Sequence, residues 1–508
     1  MKKIFSLIYM LCLCVIVTGC SSAGGISTFT AAVEKMPSNF DPQIADSNNE
    51  LMVIQNIFDG LFEKQEGAVV NNLAESCDIS ADGKTYTIQI KKGNLWHYKG
   101  DKDRKEAFEG AEVKAADFVF AINRILDPKT HSPYADDFAN VASVTATGDY
   151  SLVIRLKNAD FNFTEKLCLT AAFPCSREFF ATCGGAYGLS IDNLLCNGPF
   201  RLNYLDTENG NATIVSTREE DANLVSRIRL VEVAADSQAE SYAKDEISGF
   251  FAYATQDASF EDTAAMEFES ANISLVFNLN KDMFRNENIR KALGWYTYGF
   301  ENSGANLNAV EAVNTIFPGT VTLAGQFINT IYTPAQPAYM TADPKEMMQS
   351  GLSQLGKTRM DASTVLMPSD SMYTLIYENI NQLWQKNLGQ FFTIEYLPVS
   401  QIRQRIAEGD FDMAFLPVTP ENDTVYGILD YYTAFDSSVA ANVAAAKAET
   451  NQKNALDEIK AAADTVLQTA MTVPMGSEKS VFYYENFYDN LYIDPFTSVI
   501  NLKHATVK

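Results

Sequence analysis

The chain has 508 residues, 46% of them hydrophobic, with 32 Phe and 23 Tyr, which excludes a disordered polymer. That length exceeds what one core supports, so two or three domains are expected. Acidic residues number 64 against 39 basic ones, and the net charge of −25 repels nucleic acid and anionic lipid headgroups.

Lys2 and Lys3 precede an almost wholly apolar run over 4–19, followed by small residues. Charged, apolar and small-residue regions in that order make a secretory signal. The run falls short of the ~20 residues a membrane-spanning helix needs. Val17-Thr18-Gly19-Cys20 resembles a bacterial lipobox. The resemblance implies cleavage before Cys20, acylation of its thiol and a short tether over 20–25. More than one acyl chain gives stable membrane anchoring, where one alone is marginal. Cys12 and Cys14 would leave with the signal.

A strand is expected over Ile26–Val33 and a helix over Leu51–Phe62. Tyr86, Ile88 and Ile90 alternate with polar residues after the Asp82-Gly83 turn and predict a half-buried strand. Phe118, Ala121, Ile122, Ile125 and Leu126 share one helical face. Asp127-Pro128 ends that helix, because proline disfavours helical geometry in the residue before it. Leu152, Ile154 and Leu156 predict another strand. Strands are also expected over Ile273–Asn280 and Phe391–Leu397. Helices are expected at Asn288–Tyr296, around Ile376–Trp384 and in the Ala-rich stretch 439–447. Strands and helices mix throughout, so the fold class is α/β or α+β.

Five cysteines follow Cys20: Cys77, Cys168, Cys175, Cys183 and Cys196. They contain no C-x₂-C pair and have no histidine nearby, so no zinc site is expected; buried thiols and local disulfides both remain open. His97, His131 and His504 are far apart in sequence. No nucleotide-binding, metalloprotease or esterase motif is present. Acid pairs such as Asp136-Asp137 and Glu219-Glu220 read as solvated faces. Trp295 beside Tyr296 and Tyr298 reads either as a stacking surface for a ligand or as core at a helix end. These residues describe an exported α/β protein with no visible catalytic machinery and no expected cofactor.

The order of short blocks carries more. Asn39-Phe40-Asp41-Pro42, Ile57-Phe58-Asp59-Gly60-Leu61-Phe62 and Asn72-Leu73-Ala74-Glu75-Ser76 come first. Ala81-Asp82-Gly83-Lys84-Thr85-Tyr86, Lys91-Lys92-Gly93-Asn94-Leu95-Trp96 and Ala115-Ala116-Asp117-Phe118-Val119-Phe120 follow. Then come Arg124-Ile125-Leu126-Asp127-Pro128, Asn197-Gly198-Pro199-Phe200, Phe277-Asn278-Leu279-Asn280, Ile289-Arg290-Lys291-Ala292-Leu293 and Gly409-Asp410-Phe411-Asp412. Together they resemble the family 5 extracellular solute-binding proteins, the dipeptide- and oligopeptide-binding subunits of ABC importers.

The resemblance implies a periplasmic-binding-protein-like fold of type II, cluster C, with two lobes and an extra inserted domain around a ligand cleft. Domain I would comprise 26–50, 166–272 and 480–508, domain II 51–165, and domain III 273–479. A monomer would close on a peptide or small solute, pair with it by strand addition and deliver it to membrane permease subunits. Asp46 and Ser47 would line one wall of the cleft, and Leu416, Pro417 and Glu421 the other. The family pattern departs here. Pro417 and Val418 stand where Gly-Trp is usual, and Glu421 stands where an aspartate pairs with the peptide amino terminus. Proline also removes a main-chain donor. A peptide or pheromone sensor, or a binder of another solute on the same fold, is the alternative.

Overall fold

The computed structural model describes residues 27–65, 67–218, 223–253, 260–300, 311–369 and 374–508. The signal, Cys20 and Glu219-Glu220 lie outside them.

Ten strands form the central sheet, numbered here in chain order. They are β1 (Thr28–Val33), β2 (Phe200–Asp206), β3 (Asn211–Ser216), β4 (Arg227–Glu232) and β5 (Gly249–Tyr253), then β6 (Thr263–Phe277), β7 (Thr364–Pro368), β8 (Thr393–Leu397), β9 (Met413–Val418) and β10 (Thr472–Glu485). Their spatial order is β2-β3-β4-β1-β5-β10-β6-β9-β7-β8. Strand β1 runs parallel to β4, and β7 runs parallel to both β8 and β9, whereas β5, β10, β6 and β9 pair antiparallel.

The sheet is continuous, but the core beneath it is not. One apolar cluster gathers residues from Phe29 to Leu230 and adds Phe482 to Ala505 from the end of the chain. A second gathers residues from Ile273 to Met475. We call these bodies the first and second lobes. The first also contains an antiparallel four-stranded sheet in the order Ala74–Ile79, Thr85–Ile90, Ser151–Leu156, Val141–Gly148. Helix Ala115–Leu126 buries Phe118, Ala121, Ile122 and Ile125, the face its periodicity predicts, and ends at Asp127.

Two blocks dock against each other through main chain. Helix Asn48–Ile57 ends at Phe58, earlier than its apolar run suggests, because the chain turns through Asp59-Gly60. Asn197 clamps that turn: its Oδ1 accepts the Asp59 N–H (3.1 Å) and its Nδ2 donates to the Asp59 carbonyl (3.0 Å). Gly198 donates its N–H to the Ile57 carbonyl (2.8 Å), and a Cβ there would lie 2.6 Å from that carbonyl carbon. The C-terminal segment is stitched in beside them. Asn56 Nδ2 donates to the Ile500 carbonyl (2.8 Å), and Lys503 pairs with Asp59 (2.8 Å).

The chain passes between the lobes inside β6 and β10. Strand β5 pairs with β10 at Ser480–Tyr484, and β9 pairs with β6 at Asn272–Phe277. Between those spans, among the described residues, Glu269 and Ala271 pair only with Lys479 and Glu478. The lobes are thus joined there by a neck two strands wide. Register shifts fall within it at Glu269/Ala271 and beside it at Ile273/Ser274, and such irregularities bend and twist a strand. Among the described residues no helix is long and apolar enough to cross a membrane.

Candidate functional site

The lobes touch beside the neck. From the first lobe comes a hairpin, Phe62–Gln65 with Ala68–Asn71. Gly67 at its turn has φ +80°, and a Cβ there would lie 2.5 Å from the Phe327 ring of the second lobe. Glycine adopts that φ without strain and leaves room for the ring against the turn. Phe161 of the first lobe packs against the second lobe's core.

Charged groups meet at the same contact. Lys64 Nζ on the hairpin donates to Asp423 Oδ2, and its side chain is only 14% exposed. Glu165 Oε1 accepts the Gly325 N–H and the Thr322 hydroxyl, the latter at 3.3 Å. The Thr322 N–H donates to the Asp423 carbonyl (2.7 Å), and the single hydroxyl proton is shared between that carbonyl (3.0 Å) and Glu165, so the second lobe's half is one connected unit. Burial alone would lower the Lys64 pKa; Asp423 and Glu165 outweigh it and hold the ammonium above the ordinary lysine range. Burial pushes the Glu165 carboxyl above the ordinary carboxylate range; Lys64 pulls the other way and Asp423 adds to the rise.

Strand β9 leads into this contact. Among the described residues it pairs with β7 only at Met413 and Ala414, and Phe415–Val418 have no sheet neighbour on that side. Leu416 is buried against Val276, Leu366 and Ile402. Pro417 opposes Ile273, and its carbonyl accepts from Arg403 (3.2 Å). Glu421 is exposed, and its N–H donates to the Gly427 carbonyl (3.1 Å). It is Asp423, two residues on, whose carboxylate reaches the first lobe.

The remaining sequence-derived positions lie elsewhere. Asp46 and Ser47 are exposed on the first lobe, where Ser47 Oγ accepts the Glu50 N–H (3.4 Å) and caps helix Asn48–Ile57. Trp295 is half-buried on the second lobe. It donates its ring N–H to the Met340 carbonyl (3.1 Å) and borders a surface hollow of about 600 Å³ with Tyr296, Asp343 and Lys345. All five cysteines are free thiols, four of them buried. No cluster with metal-binding potential occurs among the described residues.

Sequence reasoning missed Lys64, Glu165 and Asp423. The only available signal was a lone lysine on a short hairpin in a strongly acidic chain.

Two lobes on a narrow neck, with a polar contact closing one side, define a class of proteins that trap a solute between lobes. Residues 68–440 match the description "Bacterial extracellular solute-binding proteins, family 5 Middle". The chain belongs to that family, whose members bind solutes and do not catalyse reactions. It is 24% identical over 436 residues to the dipeptide-binding protein of Lactococcus lactis subsp. cremoris, covering 74% of this chain and 73% of that one. It is 29% identical over 239 residues to the oligopeptide-binding protein AmiA of Streptococcus pneumoniae, covering 43% of this chain but only 35% of AmiA. Its fold is that of HbpA2 from Haemophilus parasuis, with a TM-score of 0.76, 17% identity and coverage of 95% and 100% of the two chains.

Proposed function

We propose that this protein captures di- and oligopeptides by lobe closure and delivers them to the permease subunits of an ABC importer. The observation that carries this reading is the pair of lobes hinged on the two-stranded neck of β6 and β10, in a chain of the solute-binding family. The unpaired side of β9 at Phe415–Val418 supports it, because an extended peptide adds its main chain to such an edge. Leu416 and Pro417 would line that edge, Glu421 its far end, and Asp46 and Ser47 the opposite wall; Trp295 would hold a ligand ring only at its surface hollow. Domain I would comprise 26–50, 166–272 and 480–508, domain II 51–165 and domain III 273–479.

Cys20 would carry the lipid that holds a monomeric binder on the outer face of the membrane, beside its transporter. The names of the L. lactis and S. pneumoniae relatives, a dipeptide-binding and an oligopeptide-binding protein, point to peptides as cargo. Uptake of a labelled peptide mixture by cells with and without the gene tests the importer role. Loss of uptake restored by the gene supports it. Unchanged uptake with intact binding would assign the protein to sensing.

A further inference from the structure

Glu165 sits at the lobe contact, 5% exposed, and its Oε2 has no hydrogen-bond partner among the described residues. Its partners come from the other lobe, 157 and 160 residues away, as does the partner of Lys64, 359 residues away. Parting the lobes therefore returns Lys64, Asp423 and Glu165 to water together.

The charges in the contact do not balance. One ammonium, Lys64, faces two carboxyl groups, Asp423 and Glu165. The other charged groups packed around them do not make up the difference. Lys166 on the Glu165 segment is held by Asp160 at 3.2 Å. Asp494 and Asp137, which face Lys64 and Asp423 respectively, are further acids. Asp494 Oδ1 is held by the Phe496 and Thr497 N–H groups (3.1 and 2.7 Å). Cys168, with Glu63 beyond it, and Tyr426 and Tyr492 also face the contact, and among the described residues neither tyrosine hydroxyl has a partner. A carboxylate taken from water without a counter-charge or a full set of donors is costly, and a proton removes that cost. A proton on Oε2 also leaves Oε1 free to keep both of its bonds.

We propose that closure of the lobes takes up a proton on Glu165, so that this contact is a proton-linked latch which acid closes and alkali releases. The proposal rests on the lobe-closure reading above. Its sign follows from the contact. Burial raises the Glu165 pKa while the lobes touch at this contact, and parting them returns the group to its ordinary value. Closure is then fully favoured below that ordinary value and weakens as pH rises through the raised one.

The test is small-angle scattering of the protein from pH 5 to 9, with and without a mixture of di- to pentapeptides. Calorimetry of the same mixture in two buffers of different ionisation heat counts protons. In the wild type the closed-to-open ratio should fall with pH, by at most about tenfold per pH unit for one proton, with proton uptake on closure. Glu165→Gln keeps the Oε1 acceptor and replaces the orphaned oxygen with an amide. It should close independently of pH with no uptake. Lys64→Met removes the ammonium and should raise the uptake above the wild-type count. A wild-type ratio that ignores pH, or a Glu165→Gln variant that keeps the wild-type slope, would overturn the latch while leaving peptide capture standing. A shape unchanged by both pH and bound peptide would overturn closure as well.

Discussion

Arg124 and Asp41 are 83 residues apart in sequence and both nearly fully buried. The guanidinium donates to both Asp41 oxygens (3.0 and 2.5 Å) and to Gln43 Oε1 (2.6 Å), with its plane over Phe180. Removing one partner strands a buried charge, so Arg124→Met should cost about 3–5 kcal/mol, read as a lower urea midpoint. Gly198→Ala forces a methyl into the Ile57 main chain, which cannot retreat as a side chain would. Overpacking of this kind costs about 1–3 kcal/mol, again read from urea unfolding. The buried thiols follow the same logic. Burial pushes Cys175 and Cys196 up to about 12 and half-buried Cys77 up to about 11. At pH 8 a maleimide should label the folded protein slowly, and all five thiols after Cys20 quickly in urea; fast labelling of Cys175 without urea would contradict the burial. At this scale the motif blocks were legible because Asp41, Asn197 and Gly198 each do a job that few residue types can do. Lys64 and Asp423 were not, because a pair 359 residues apart leaves no trace in local spacing.

At the scale of elements, periodicity located what lies over a single core. Helix Ala115–Leu126 and strands Thr85–Ile90 and Ser151–Leu156 each show one apolar face, because each packs against one core. The two longest strands did not read so clearly. The expected strand from Ile273 in fact begins at Thr263, and Thr472–Glu485 has no strand pattern at its centre. The reason is the neck: Glu267, Glu269, Glu478 and Lys479 lie between the cores, where nothing demands alternation. Their charges contribute little to stability. Lys479 pairs with Glu311 (2.6 Å) and Glu267 (3.4 Å), and these acids are more than half exposed. Exposed pairs are worth about 0–1 kcal/mol, so Lys479→Gln should shift the unfolding free energy by less than about 1 kcal/mol, measured by urea titration. A larger loss would mean that the neck is a rigid strut and not a hinge.

At the scale of the molecule, the order of the blocks implied the family, and the family implied two lobes. The contact between those lobes came only from the structure, because it depends on how two separately folded bodies meet. Closure over a peptide would hide it from water and bring Lys64 onto Asp423, coupling capture to a change of shape that a transporter can read. The most direct test of peptide capture is a native mass spectrum of the gently purified protein, before and after unfolding and refolding. An added mass that disappears on unfolding, and fragments as short peptides, is the expected result. A bare protein that also ignores an added mixture of di- to pentapeptides would contradict it.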